Sequence, residues 1–185
     1  DWPGLYKFIP DVILEIIYKI SKHQKVNLII NSKIKSIKKL LKSSKINNIS
    51  FHKIKTDRIW LRDSGPIFLI NKKYKKKIIL NFVFNGWAKY KNYKNDNKIN
   101  DNLCKIIKLN KINPTIEKNG RTIKVVMEGG AFDVNGAGTI LLTEECLLSK
   151  IQERNKKFNK KDYEGIFNKY LNIKNFIWLK KGIVG

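Results

Sequence analysis

Acidic residues, arginine and cysteine are all scarce in this chain of 185 residues. Only 15 residues are Asp or Glu, against 39 that are Lys or Arg, so the formal net charge is +24. Four of the basic residues are arginines, which leaves 39 − 4 = 35 lysines. Two cysteines, Cys104 and Cys146, are too few for a disulfide framework and are typical of a reducing compartment such as the cytoplasm. No signal peptide is visible, and no apolar run approaches the roughly 20 residues that span a bilayer, so we expect no membrane association.

The excess of lysine raises the question of nucleic-acid binding. The sequence has no helix-turn-helix pattern, no zinc-ligand spacing and no aromatic RNA-binding motif, and arginine, which suits bidentate contacts to phosphate or guanine, is rare. Lysine is accompanied by isoleucine and asparagine, as in KKLLKSSKINNIS, a composition that AT-rich coding sequence would give. We therefore expect no specific nucleic-acid partner, only loose electrostatic attraction to polyanions at low salt.

Apolar periodicity predicts alternating helices and strands. A unit of hairpin, helix and strand occurs at residues 66–127 and again at 130–179, and the helix and strand of an earlier copy occupy 32–54. A repeat of roughly 60 residues predicts a stacked or closed α/β array. Helices are predicted at 10–22, 33–42, 98–109 and 160–171, and strands at 26–31, 49–54, 66–71, 77–85, 122–128 and 175–179, with a hairpin at 131–143.

The segment DRIWLRDSGP, residues 57–66, stands out from this background. It gathers two of the four arginines and two of the eight aspartates around Trp60, just before a turn that Gly65 and Pro66 enforce. Asp63 offers a carboxylate beside an aromatic side chain, and both features favour binding of a planar guanidinium. The alternative is that Arg62 and Asp63 form only local ion pairs or caps at the start of a strand.

Two further interruptions between apolar segments are candidates for the same site. In FNGWAKY, residues 84–90, Trp87 begins a polar loop and could either line a pocket or fold back on the core. In VVMEGGAF, a predicted strand ends on Glu128, and two glycines follow that leave room for close approach. The structural alternative for Glu128 is a capping role at a bulge or tight turn.

Four segments, taken in order, resemble the agmatine deiminases and the bacterial-type peptidyl-arginine deiminases: DRIWLRDSGP, FNGWAKY, MEGGAFDVNGAGTILLTEECLL and IWLKKGIVG. The resemblance covers essentially the whole chain, including the opening WPG and the helix entry DNKINDNLCKII. It implies an α/β propeller, or pentein, of five repeated units. About three of these units would lie in residues 1–185, as a single partial guanidine-deiminase domain.

The resemblance also implies a reaction. Agmatine and water would give N-carbamoylputrescine and ammonia, a step in putrescine biosynthesis, without a metal or an organic cofactor. In this family a cysteine thiolate attacks the guanidinium carbon, two carboxylates hold the guanidinium, and a histidine acts as general acid and base. By this resemblance Asp63 is a substrate carboxylate, Trp60 and Trp87 match aromatic positions near the pocket, Glu128 begins the Glu-Gly-Gly motif, and Arg62 is a structural partner.

Some residues that the resemblance calls for are missing. The family carries its histidine in a Gly-His-x-Asp motif after the stretch similar to IWLKKGIVG, and its nucleophilic cysteine near the C-terminus. His23 and His52 are not followed by the required aspartate, and Cys146 matches a segment other than the nucleophile's. We therefore expect an N-terminal fragment that cannot turn over alone. The alternatives are peptidyl or free arginine as the substrate, or a non-catalytic basic remnant that binds polyanions. Homo-oligomer formation stays open.

Overall fold

The computed structural model describes residues 6–31, 34–44, 46–71 and 73–182, and the opening WPG lies outside them. The chain divides into two compact units, Asp1–Ile59 and Trp60–Gly185. The expectation that residues 1–185 form one partial domain stays a prediction.

The first unit is a strand-helix-strand arrangement preceded by a helix. Pro10 lies in the first turn of its first helix, where its missing N–H costs no hydrogen bond. Its two strands are parallel, with Val26 opposite Ile49, which matches the helix and strands predicted here. Its elements are a 3-10 turn at Tyr6–Phe8, α1 (Ile9–Ser21), β1 (Val26–Ile30), α2 (Ile34–Ser43) and β2 (Ile49–Lys53).

The second unit contains eight strands and four α-helices in its described part. In sequence order these are α3 (Leu61–Ser64), β3 (Ile67–Asn71), β4 (Lys76–Leu80), a 3-10 turn (Asp96–Lys98), α4 (Ile99–Ile107), β5 (Lys111–Ile112), β6 (Thr115–Lys118), β7 (Arg121–Lys124), β8 (Phe132–Val134), β9 (Thr139–Thr143), α5 (Glu144–Leu148), α6 (Lys160–Leu171) and β10 (Asn175–Leu179).

Strand pairing reveals the same unit twice. In each copy a hairpin (β3–β4, then β8–β9) is followed by helix, and the next strand (β5, then β10) returns parallel to the second strand of the hairpin. The fold is thus a mixed α/β fold, as predicted. Among the described residues the strands form four separate sheets, and none of these closes on itself.

The predicted strands 77–85 and 122–128 are both interrupted. The regular pairing of β4 ends at Leu80, and only a parallel bridge between Val83 and Val126 continues it. In the sequence between Val83 and Val126, the hairpin β6–β7 turns at Asn119 and Gly120, whose φ angles are +51° and +70°. Consecutive left-handed residues are typical of a tight hairpin turn, and an Asn-Gly pair is the strongest sequence signal for one. The strand predicted at 122–128 is regular only in β7, and beyond Lys124 only Val126 is paired, as a single bridge residue.

The core of the second unit lies between its sheets and helix α6. Buried side chains from β4, β9 and α6 meet there and fix the strand ends that carry the loops described below. The fully buried members of this cluster include Leu80, Val125, Ile140, Leu142, Tyr163 and Phe167.

Candidate active site

Asp63 projects from a single helical turn, α3, inside the segment predicted as a turn. The carbonyl of Trp60 accepts the N–H groups of Asp63 and Ser64 at 3.2 and 3.3 Å and the Ser64 hydroxyl at 3.1 Å. The Gly65 N–H donates to the carbonyl of Leu61 at 2.8 Å and closes the turn. The Asp63 side chain is therefore carried on a well-bonded piece of backbone. The Trp60 side chain is 43% exposed.

The two glycines after Glu128 allow the loop to touch this turn. A Cβ on Gly129 would lie 2.4 Å from the carbonyl oxygen of Arg62, and one on Gly130 would lie 2.3 Å from Asp63 Oδ1. Real Cβ atoms essentially never come so close, so only glycine fits at both positions without a shift of the turn. The Gly130 N–H donates a hydrogen bond to the Asp63 carboxylate. The Glu-Gly-Gly motif thus serves to bring backbone against Asp63.

Trp87 packs against the core, which was one of the two alternatives for it, and a role in lining a substrate pocket stays a prediction. Its φ is +60°, and the loop around it is held by a 2.9 Å hydrogen bond from the Ala88 N–H to Asn85 Oδ1. The indole ring packs edge-on against Phe84, with 5.0 Å between the ring centroids. The indole N–H donates to the Asp63 carboxylate. The ring thus folds back on the core while its polar edge lies in the site.

Opposing influences act on the charge of Asp63. Its side chain is half-buried, and this burial raises the pKa of the carboxyl group above its ordinary value. Hydrogen bonds from Gly130 and Trp87 act in the other direction, as do the positive charges of Arg154 and Arg62. The result is a raised pKa, in a carboxylate that two fixed donors hold in place.

Glu128 lies close by and is almost completely buried, with 1% of its surface exposed. The Nε–H of Arg154 donates to both of its carboxylate oxygens, at 2.9 and 3.1 Å. Burial raises the pKa of Glu128, the Arg154 guanidinium opposes this, and the charge of Asp63 adds to the rise. Glu128 is therefore one half of a buried ion pair beside a second carboxylate.

Sequence reasoning missed Arg154, which lies in the polar loop between α5 and α6. Its neighbour Asn155 fixes this loop to the strand end: the Asn155 side chain accepts the Val126 N–H and donates to the Val126 carbonyl, both at 2.8 Å. Asn155 also donates to the Tyr163 hydroxyl at 3.1 Å, and that hydroxyl donates to the carbonyl of Leu147 at 3.2 Å. The only sequence signal was the rarity of arginine in a lysine-rich chain.

Cys146 lies near this cluster, since the charges of Arg154, Glu128 and Asp63 act on its thiol. Burial raises the pKa of the Cys146 thiol, which packs against the core from α5, and also that of Cys104 on α4. His52 lies on β2 in the first unit, with its Nε2 3.0 Å from Asn27 Oδ1, and His23 follows α1. The described part of the chain contains no group of three or more His, Cys, Asp or Glu side chains that could hold a metal ion. No helix in that part is both long and apolar enough to cross a membrane.

The structure thus brings three of the four predicted site residues together. The Trp87 indole bonds to the Asp63 carboxylate, the charges of Asp63 and Glu128 act on each other, and Arg154 joins them through Glu128. Trp60 contributes its carbonyl to the turn below Asp63, and a substrate role for its exposed ring stays a prediction. The arrangement holds two carboxylates beside fixed N–H donors on an α/β scaffold, and a carboxylate such as Asp63 can accept hydrogen bonds from a cation with several N–H groups.

The family model described as Porphyromonas-type peptidyl-arginine deiminase matches residues 1–185. The chain therefore belongs to the agmatine deiminase and peptidyl-arginine deiminase family, which confirms the resemblance found in its motifs.

Individual relatives agree with this assignment. An agmatine deiminase from Ectopseudomonas mendocina is 32% identical over 142 residues, which are 74% of this chain and 36% of that protein. The solved structure of a C. jejuni agmatine deiminase, a cysteine-to-serine variant with substrate bound, matches with a TM-score of 0.79 and 28% identity over 100% of this chain and 50% of that one. The agmatine deiminase of Enterococcus faecalis matches with a TM-score of 0.78 and 25% identity, over 98% of this chain and 47% of that one. The chain thus spans about half the length of these solved relatives.

Proposed function

We propose that this chain forms the guanidinium-binding part of an enzyme that hydrolyses agmatine to N-carbamoylputrescine and ammonia. The observation that carries the proposal is the setting of Asp63, a half-buried carboxylate held by the Gly130 N–H and the Trp87 indole N–H. These two donors fix its oxygens without neutralising them, so it can accept N–H groups from a planar cation. The similarity to agmatine deiminases supports agmatine as the source of that cation.

In this proposal the residues around Asp63 have distinct roles. Asp63 accepts hydrogen bonds from the guanidinium, Trp87 orients Asp63, and Glu128 adds negative charge behind it. The exposed ring of Trp60 would lie along the aliphatic part of the substrate. Preorganised groups of this kind stabilise charge in a reacting centre because they do not need to reorient during the reaction.

The attacking thiolate and the general acid–base are assigned to groups outside these 185 residues. The raised pKa of the Cys146 thiol supports this, because a nucleophilic cysteine needs a lowered pKa. The chain alone would then bind a guanidinium without turning it over. A role in putrescine biosynthesis, a five-unit propeller in the complete enzyme, a cytoplasmic location and homo-oligomer formation belong to the same proposal.

A second substrate class is favoured by one observation. The family model that matches the whole chain is described as a peptidyl-arginine deiminase. Peptidyl or free arginine presents the same guanidinium to Asp63 and differs only at the far end of the molecule. The guanidinium site proposed here serves either substrate.

The test is ammonia release by the natural protein, with its intact mass measured in the same preparation. We expect ammonia from agmatine in preference to arginine if the mass is well above 21.6 kDa, and Asp63→Asn should lower the rate by about a hundredfold or more, the scale for removal of one charge-stabilising group. Asp133→Asn, an exposed aspartate on β8, is the matched control and should keep the normal rate. A near-normal rate in Asp63→Asn would remove Asp63 from the mechanism.

A further inference from the structure

Arg154 has surroundings that are unusual for a residue in a polar loop. The segment 149–159 between α5 and α6 is rich in lysine and asparagine, yet only 6% of the Arg154 side chain is exposed. Its Nε–H is shared between the two oxygens of Glu128, and one Nη1 hydrogen is donated to the carbonyl of Gln152. The guanidinium therefore joins a strand end to its own loop.

The position of this guanidinium is set by the residue that follows it. Asn155 is buried and makes both backbone hydrogen bonds that a neighbouring strand would make to Val126. Glu128 lies two residues after Val126, so the pair Arg154 and Asn155 holds the strand end at two adjacent points. Tyr163 of α6 supports Asn155 through its hydroxyl.

The strand end that is held in this way leads directly to Asp63. Gly129 and Gly130 follow Glu128 and lie against Arg62 and Asp63 with no room for a side chain. A displacement of Glu128 would therefore move the Gly130 N–H that binds the Asp63 carboxylate.

We infer that Arg154 is a positioning residue of the proposed guanidinium site: by holding the Glu128 carboxylate it fixes the strand end from which Gly130 meets Asp63. For the identity of the ligand, this inference rests on the proposed function. Glu128, whose side chain is 2% exposed and whose two oxygens are both engaged by Arg154, acts on the ligand through its charge, and Asp63 is the carboxylate that makes contact.

Charge supports the same role. The charged groups that act on Glu128 are Arg154 and Asp63, and those that act on Asp63 are Arg154 and Arg62. Arg154 thus opposes the effect of burial on both carboxylates. A lysine at position 154 would keep a positive charge but would lose the Nε–H shared between the two oxygens.

The experiment uses the chain in three variants with isotope-labelled Glu, Gly and Trp. Arg154→Gln removes the charge and the hydrogen bonds, Arg154→Lys keeps the charge, and Arg121→Gln removes an exposed arginine on β7 as the matched control. NMR follows the Glu128 carboxyl titration, the Gly130 amide and Trp87 indole signals, and the binding of agmatine.

In Arg154→Gln we expect the Glu128 pKa to rise, both N–H signals to move, and agmatine affinity to fall by about tenfold or more, equivalent to about 1.4 kcal/mol. Arg154→Lys should restore much of the Glu128 titration but only part of the affinity. If Arg154→Gln does not fold, Arg154→Lys decides the question through the same signals. Arg121→Gln should match the wild type.

The inference is overturned if Arg154→Gln shows the same Glu128 titration and the same two N–H signals as the control. If only Arg154→Lys folds, the same comparison is made with that variant. A wild-type chain that does not bind agmatine, but whose Glu128 titration and Gly130 signal still depend on Arg154, would contradict the proposed function and leave the positioning role intact.

Discussion

Asp63 is held by two N–H donors and lies within the influence of two positively charged arginines, and burial still leaves its pKa raised. A carboxyl group with a raised pKa binds its proton more tightly in the folded protein than in the unfolded chain. Its contribution to the free energy of unfolding is therefore complete below the ordinary pKa and is lost as pH rises through the folded pKa. Ionisation of Asp63 thus costs stability, as expected of a group kept for binding.

This sign gives a prediction for Asp63→Asn. Between the ordinary pKa of the carboxyl group and its raised folded value, the free energy of unfolding should fall less steeply with rising pH in the variant than in the wild type. Urea denaturation at a series of pH values measures the difference. Some decline of the same sign should persist, because the pKa of Glu128 is raised as well. Asp133→Asn is the control, and a slope in Asp63→Asn equal to that of the control would contradict the raised pKa.

At the residue scale, the sequence was enough to select Asp63 and Glu128 as candidate site residues, because their sequence neighbours are unusual for this chain. Asp63 lies among arginines and beside Trp60, and Glu128 precedes two glycines, so both were visible in a chain with few acids. Arg154 was not visible, because its role depends on contact with a residue 26 positions away and its loop looks like any other lysine-rich loop here. The sequence predicted that Gly129 and Gly130 allow another group to approach the backbone closely. The partner that approaches, the turn at Arg62 and Asp63, depends on tertiary structure.

Among the elements, helix α6 supports the candidate site, because its first turn contacts the loop that carries Arg154. It begins with a capping box, in which Asn159 Oδ1 accepts the Asp162 N–H at 3.1 Å and the Asp162 carboxylate accepts the Asn159 N–H at 2.8 Å. The first turn that this box secures contains Tyr163, whose hydroxyl supports Asn155. Fraying of the helix start would therefore loosen the loop that carries Arg154.

We expect Asn159→Ala to lower the free energy of unfolding by about 1 kcal/mol, the usual cost of removing such a cap. Chemical denaturation measures this loss, and the Trp87 indole signal reports whether the site loosens with it. Lys161→Ala, an exposed first-turn residue that is not part of the box, should change the stability much less. Equal effects of the two substitutions would show that the capping box does not stabilise α6.

The elements themselves were largely predictable. Helices α1, α2, α4 and α6 lie close to their predicted positions, since each has an apolar stripe at helical spacing. The hairpin β6–β7 was missed because TIKVV looks like one continuous strand, although Asn119-Gly120 offered the turn signal in front of it. The short helix α5 was also missed, since its five residues, EECLL, are too few for a periodic pattern.

At the scale of the whole molecule, the repeat and the family were predictable, and the closure of the array was not. The order of hairpin, helix and parallel strand can be inferred from the succession of apolar segments. The second copy pairs as predicted, whereas in the first copy the strand that returns beside β4 is β5, which was not predicted. Whether such units close into a ring depends on contacts between units, which one sequence of three partial copies does not specify. The chain matches about half of each of the two solved agmatine deiminases.

The contact of Gly130 with Asp63 also has a consequence for the order in which the molecule folds. It joins residues 130 − 63 = 67 positions apart, whereas Arg154 and Glu128 are 26 apart and Asn155 and Val126 are 29 apart. Shorter loops close at a lower entropic cost and earlier. The clamp on the strand end would then form first, and Asp63 would reach it afterwards. Newly made chains would therefore form the buried Arg154–Glu128 ion pair before they form the proposed site at Asp63. In a refolding experiment, an intermediate in which Glu128 is buried and Asp63 is still exposed to solvent should precede the native state.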